Sequence, residues 1–156
     1  MSEMPLPRKH TSTLEAGEEF EPVEYTVTPE MVNFWLIGIN DRHDWYTTDS
    51  PFGGPVAPPV ICQMASLRLR VWHLWGDFVG AVFTKPASVH YVYNAEYHDP
   101  IKIGEKITVK GKCSANYINR GRRYVDYETM IYGEDGRLCA RYVSTSLPQY
   151  RKEAEK

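Results

Sequence analysis

The residues best suited to chemistry fall in one stretch, GINDRHDWYTTDSPFGGPVAPP, residues 38–59. Asp41 and His43 stand two positions apart in it, with Asp44, Tyr46 and Asp49 close behind. A carboxylate beside an imidazole is the usual make-up of an acid/base pair. Histidine ordinarily titrates at ~6.5, nearest neutrality, and burial can raise a carboxylate toward that range. For Asp41, the adjacent Arg42 opposes such a rise wherever its charge points inward. Tyr46 is protonated at neutral pH, its ordinary pKa being ~10, and offers a hydrogen-bond donor. Each residue also has a plainer use: aspartate caps turns through its own local backbone, a loop histidine can stabilise its loop, and Trp45 and Tyr46 can simply pack. Loops longer than about a dozen residues are nevertheless commonly functional, so this one reads as built to hold something. Other catalytic signatures are absent from the chain: GxSxG, GxxxxGK[ST], HExxH, and GxGxxG after a strand. No His/Cys/Asp spacing fits a zinc site, so no metal is expected, and His90 reads as a strand residue with a local partner.

The elements that must position this loop follow from periodicity. Thr28-Pro29-Glu30 has the cap-then-proline form of a helix start, predicting a helix from Pro29 to about Ile37 with Gly38 as its stop. A second helix is predicted from about Pro59 to Trp75. Val60, Met64, Leu67, Val71 and Leu74 form its core stripe, with Ile61, Ala65, Trp72 and Trp75 beside it, and Gln63, Ser66, Arg70 and His73 fall on the far side. From Ala87 onward the pattern alternates, and ASVHYVYNAEY, EKITVKGKCSANYI, RRYVDYETMIY and RLCARYVSTSL read as four strands, with a further one near Tyr25. Asn119-Arg120-Gly121 and Glu134-Asp135-Gly136 supply hairpin turns, while His98-Asp99-Pro100 and Ile103-Gly104-Glu105 separate the first of the four strands from the second. A long helix followed by a strand meander means α+β, with the sheet burying one face on the helix.

Length and charge set bounds. The 156 residues fit one domain with a sizeable core; no apolar run approaches the ~20 residues of a membrane span, and the first residues lack the apolar core of a secretory signal. A flexible tail over 1–22, a domain over 23–150 and a charged tail over 151–156 are expected. The net charge of -2 gives no attraction to nucleic acid, and Arg120, Arg122 and Arg123 read as a solvated turn. Three cysteines, Cys62, Cys113 and Cys139, without a CxxC pair fit buried thiols in a reducing cytoplasm.

The run Phe52-Gly53-Gly54-Pro55-Val56-Ala57-Pro58-Pro59 before a long helix, followed by His98-Asp99-Pro100-Ile101-Lys102-Ile103-Gly104-Glu105 entering the meander, resembles the MaoC-like dehydratase and (R)-specific enoyl-CoA hydratase family. The likeness runs from about Tyr25 to Leu147. It implies a single hot-dog fold, a curved antiparallel sheet wrapped around a long central helix. It also implies dimers or dimer-based assemblies, homomeric or heteromeric, and addition or removal of water at the 2,3-position of an acyl thioester. No cofactor is implied beyond the CoA or acyl carrier that is part of the substrate. The family's catalytic aspartate falls on Asp41, its asparagine on His43, its proline on Asp44 and its catalytic histidine on Tyr46, so only the aspartate is kept. The glycine whose N–H holds the thioester oxygen falls on Pro59, which has none, leaving the Val60 amide as the next donor at a helix start that favours negative charge. Asp41, His43 and Tyr46 are thereby the catalytic candidates and Val60 the thioester support. A catalytically silent subunit that binds an acyl thioester and completes an active partner's dimer is the alternative, and thioester hydrolysis on the same scaffold a third reading.

Overall fold

Helix α1, Pro29–Ile39, starts where the sequence signals it. The Thr28 hydroxyl accepts from the Met31 N–H at 3.3 Å, and Pro29 sits in the first turn, where a missing N–H costs nothing. It does not stop at Gly38. Asn40 takes the left-handed conformation, φ 52° and ψ 39°, and its N–H donates to the Ile37 and Leu36 carbonyls. Asparagine tolerates that region because its short polar side chain bonds locally, so it ends the helix and aims Asp41 away from the helix axis.

The computed structural model describes residues 9–75 and 89–147. After α1 come a single turn of helix, α2 (Asp44–Thr47), and the long helix α3 (Val60–His73). The strands are β1 (Lys9–His10), β2 (Glu19–Thr26), β3 (Leu74–Trp75), β4 (Val89–Tyr97), β5 (Lys106–Asn119), β6 (Arg122–Tyr132) and β7 (Leu138–Leu147). β1 and β3 pair in parallel, and the other strands form an antiparallel sheet in the order β2-β5-β6-β7-β4. Register shifts at Phe20/Val23, His90/Val92 and Cys113/Ala115 interrupt the ladders, and such bulges sharpen twist and bend. The sheet thereby curves around α3, the architecture that the resemblance implies. Both predicted hairpin turns form, with Arg120 and Gly121 at φ 48° and 72° and Gly136 at φ 83°. No helix among the described residues is long and apolar enough to cross a membrane.

The core lies between α3 and the inner sheet face. Ile61, Cys62, Ala65, Ser66, Leu69 and Arg70 are buried on the helix, facing Ile107, Val109, Val125, Tyr127, Ile131 and Tyr142. Burying each large apolar side chain contributes roughly 1.5–3 kcal/mol. Gly111 sets the spacing: a Cβ there would sit 2.7 Å from both Leu69 Cδ2 and the Glu128 carbonyl oxygen. The sheet can hold the helix this closely because β5 has no side chain at that position.

Two expectations are corrected. Ser66 and Arg70 are buried rather than on the far side of α3, whereas Val60, Met64 and Leu67 are only half-buried. The buried face is therefore rotated toward the 62/66/70 row, because hydroxyl partners on β6 and β7 take up the polar groups. The expected 1–22 tail is also structured from residue 9: Leu14 and Phe20 are core residues, and Gly17 N–H to Cys113 O at 2.7 Å and Cys113 N–H to Glu18 O at 2.8 Å tie it to β5. Its charged composition hid two buried apolar anchors. The readings of the side chains at 71–75 and of the 151–156 tail lie outside the described residues.

Candidate active site

Residues 40–59 are fixed at their far end by the sheet. Ala57 N–H donates to Ile101 O at 2.8 Å, Ile103 N–H to Pro55 O at 3.3 Å, and Val56 forms a bridge with Lys102. The HDPIKIGE segment is thus the anchor of the loop. Its own support is Glu105, whose carboxylate accepts from the Lys102 N–H at 2.9 Å, the Glu134 N–H at 3.0 Å and both terminal nitrogens of Arg137 at 2.6 and 2.8 Å. Burial alone would raise the Glu105 pKa; the Arg137 and backbone hydrogen bonds outweigh it and hold it below the ordinary carboxylate value.

The Gly53-Gly54 turn is made by backbone conformation, φ 79° and 96°, which glycine adopts without strain. Asp49 organises it, its Oδ1 accepting from Ser50 N–H at 2.9 Å and Gly54 N–H at 3.0 Å, so this aspartate is a turn former. Val56 N–H to Trp45 O at 2.8 Å then pins α2 across the turn.

Asp41, His43 and Tyr46 come together on this frame. Asp41 Oδ1 accepts from the His43 N–H at 3.0 Å, while Oδ2 accepts from no described group. His43 caps α2: its Nδ1 accepts from the Trp45 N–H at 3.2 Å. That bond occupies the Nδ1 lone pair, so the neutral ring carries its proton on Nε2. The His43 ring lies 5.8 Å from the Tyr46 ring and 5.3 Å from the Trp45 ring, centroid to centroid. Tyr46 is half-buried against the core, and burial, followed by the negative charge of Asp41, pushes its phenol pKa up, so it stays a protonated donor. Trp45 and Phe52 meet edge to face yet remain 42% and 47% exposed, leaving this side of the loop open.

Val60 begins α3. The amides of Ile61 and Cys62 donate to the carbonyls of Pro58 and Pro59 at 2.9 and 3.1 Å, whereas the Val60 N–H meets no described acceptor. No described hydrogen bond or ring contact joins Val60 to Asp41, His43 or Tyr46, so the structure groups three of the four candidates and leaves the fourth at the helix start.

Sequence reading passed over a polar row inside the core. Arg70 is 5% exposed, donates to Ser146 Oγ at 3.1 Å, stands 3.5 Å from His90 Nε2 and places its guanidinium 4.9 Å from the Tyr127 ring centroid. Ser66 Oγ lies 3.3 Å from Thr129 Oγ1. The signal was the i, i+4 spacing of Cys62, Ser66 and Arg70, alongside the apolar Ile61-Ala65-Leu69 row.

A family model for the FAS1-like dehydratase domain region matches residues 15–141, which takes in the loop, α3 and most of the sheet. The chain belongs to this FAS1-like dehydratase family. Solved structures similar to this dehydratase-family chain include the MaoC-like dehydratase from Rhodospirillum rubrum, 15% identical over 92% of this chain and 99% of that one, with a TM-score of 0.71. The HadBC (3R-hydroxyacyl-ACP dehydratase) complex from Mycobacterium tuberculosis is 17% identical over 87% and 98%, TM-score 0.69. The (R)-hydratase from A. caviae involved in PHA biosynthesis is 13% identical over 86% and 96%, TM-score 0.67. At these identities the structures establish the hot-dog fold alone. No curated protein sequence matches it significantly.

Proposed function

We propose that this protein is a hydro-lyase that adds or removes water at the 2,3-position of an acyl thioester. The observation that carries this reading is the convergence of Asp41, His43 and Tyr46 on one loop with Asp41 Oδ2 and His43 Nε2 unspent. Hydration needs a base for water, a proton for C2 and support for the thioester oxygen. Asp41 and His43 form the acid/base pair, and the tautomer of His43 divides their duties. His43 Nε2–H is a donor and orients the water; Asp41 takes the proton as the water oxygen bonds to C3, then returns it to C2. Tyr46 adds a donor beside them. The Val60 N–H, at a helix start where unpaired amides favour negative charge, supports the thioester oxygen while the enolate exists.

A second reading is a silent subunit that binds the thioester and completes an active partner's dimer. It is favoured by Tyr46 standing where a histidine is expected, by Pro59 at the amide position, and by the open Trp45-Phe52 side of the loop. A neighbouring fold is known as a two-component complex, HadBC, and β4 lies at the sheet edge, where a second chain, identical or not, can pair. The three buried, unpaired cysteines fit a reducing cytoplasm.

Incubation of the purified protein with crotonyl-CoA and longer enoyl-CoAs tests the proposal. Loss of the conjugated thioester absorbance without thiol release is expected. Thiol release would instead mean hydrolysis, and binding without turnover would mean the silent subunit.

A further inference from the structure

The outer face of the sheet, turned away from α3, has two unlike halves. In one, Glu128 pairs with Lys112 at 3.1 Å and with Arg141 at 2.6 Å, and Arg141 also reaches Glu96 at 2.9 Å, so the charges of that row are matched within the chain. The other half is aromatic. Tyr117 and Tyr124 are direct strand partners whose rings stack at 5.5 Å with 13° between their planes, and Tyr91 meets Tyr124 edge to face at 5.4 Å. Tyr91 comes from β4, which β7 separates from β6, and the register shift at His90/Val92 turns it onto this face. Tyr91, Val92 and Tyr117 are 62%, 40% and 40% exposed. Side chains alternate along a strand, so Arg122, Tyr124 and Asp126 of β6 share this face at steps of about 6.6 Å. Arg122 is exposed, and no described group pairs with it. Asp126 is half-buried between Ala115 and Thr145 on the flanking strands, its Oδ1 enclosed without a hydrogen-bond partner. A carboxylate removed from water in this way is costly until a cation meets it.

We propose that the aromatic half of this face is a contact with a second copy of the chain, made about a two-fold axis that passes between the two Tyr124 side chains. Arg122 and Asp126 stand two residues to either side of Tyr124, so an axis there, normal to the sheet, sets Arg122 of each copy over Asp126 of the other. A two-fold contact must be self-complementary, and a cation and an anion in one row meet that condition. The tyrosines and Val92 become an aromatic centre flanked by two ion pairs, the usual make-up of a protein interface, and an exposed apolar patch on a lone chain marks such a contact. Side chains standing off the sheet make this contact, whereas main-chain groups make the pairing at the β4 edge. The two contacts are therefore compatible, and together they build a tetramer. The proposal is independent of the reaction proposed above.

Sedimentation equilibrium of the intact protein tests it. Arg122→Asp puts only carboxylates, and Asp126→Arg only guanidinium groups, at the four charged positions of the contact. Each variant alone should associate about 100-fold more weakly and show half the wild-type mass, since like charges facing each other cost several kcal/mol. Mixed in equal amounts, the two variants face each other with opposite charges and should regain the wild-type mass. Asp126→Asn, which keeps the side chain's size, should weaken association about tenfold, and Tyr91→Ser, on the most exposed ring, should weaken it with the melting midpoint unchanged. A wild-type mass no greater than that of Arg122→Asp, an association constant unmoved in Asp126→Asn, or a mixture no heavier than its components would overturn the proposal and leave this face to a different chain.

Discussion

Glu105 with Arg137, and Asp41 with His43, are both acidic residues matched to a basic one in a loop, yet they are built differently. Glu105 is buried and accepts from two backbone amides and both terminal nitrogens of Arg137, which in turn donates to the Pro100 carbonyl at 3.0 Å. Its partners come from two separate stretches of chain, the backbone just before it and the 134–137 turn. Among the described residues, the side chains of Asp41 and His43 bond only to backbone two residues away, and each keeps a polar atom in reserve. The first arrangement is complete as it stands and holds the sheet turns together; the second is complete only when something else supplies the missing partners. Stability and the proposed chemistry therefore sit on different loops, joined through the Ile101-Ala57 hydrogen bond.

That separation can be broken at several points. Asp41→Asn should lower hydration of crotonyl-CoA by about 10²–10⁴-fold, the usual worth of a positioned acid/base group, while leaving the melting midpoint in place. Arg137→Leu should do the opposite. It strands a buried carboxylate, a loss of about 3–5 kcal/mol readable by urea denaturation. The folded Glu105 carboxyl has a lowered pKa, so its contribution is present above the ordinary carboxylate value of 4.5 and is lost as pH falls through the lowered one. Stability of the wild type should accordingly drop on that acid limb, and Arg137→Leu should flatten it. Gly111→Ala should cost about 1–3 kcal/mol by pushing Leu69 off the sheet, with the loop residues untouched. His43→Ala should also lower crotonyl-CoA hydration, as expected of one half of the acid/base pair. The smallest effect is its effect on the fold, where loss of the α2 cap costs about 1 kcal/mol locally and shows as faster hydrogen exchange at the Trp45 amide.

The sheet was legible because its strands alternate and its turns carry Asn-Arg-Gly and Asp-Gly, chemistry that acts locally. The face of α3 was not, because Arg70 and Ser66 read as solvent residues until the hydroxyls of Ser146 and Thr129, far away in sequence, are placed opposite them. The end of α1 moved from Gly38 to Asn40 because asparagine also adopts the left-handed conformation. In the site, the Asp41, His43 and Tyr46 neighbourhood followed from their closeness along the chain. The α2 turn did not, since it depends on an imidazole nitrogen acting as the cap in place of the usual Ser, Thr, Asp or Asn.

The stereochemistry of hydration tests the account most directly. If Asp41 both takes the proton from water and returns it to C2, hydroxyl and hydrogen arrive on the same face of the double bond, so crotonyl-CoA hydrated in D₂O should give the syn adduct. Anti addition, or no addition at all, would contradict proton transfer from this one loop.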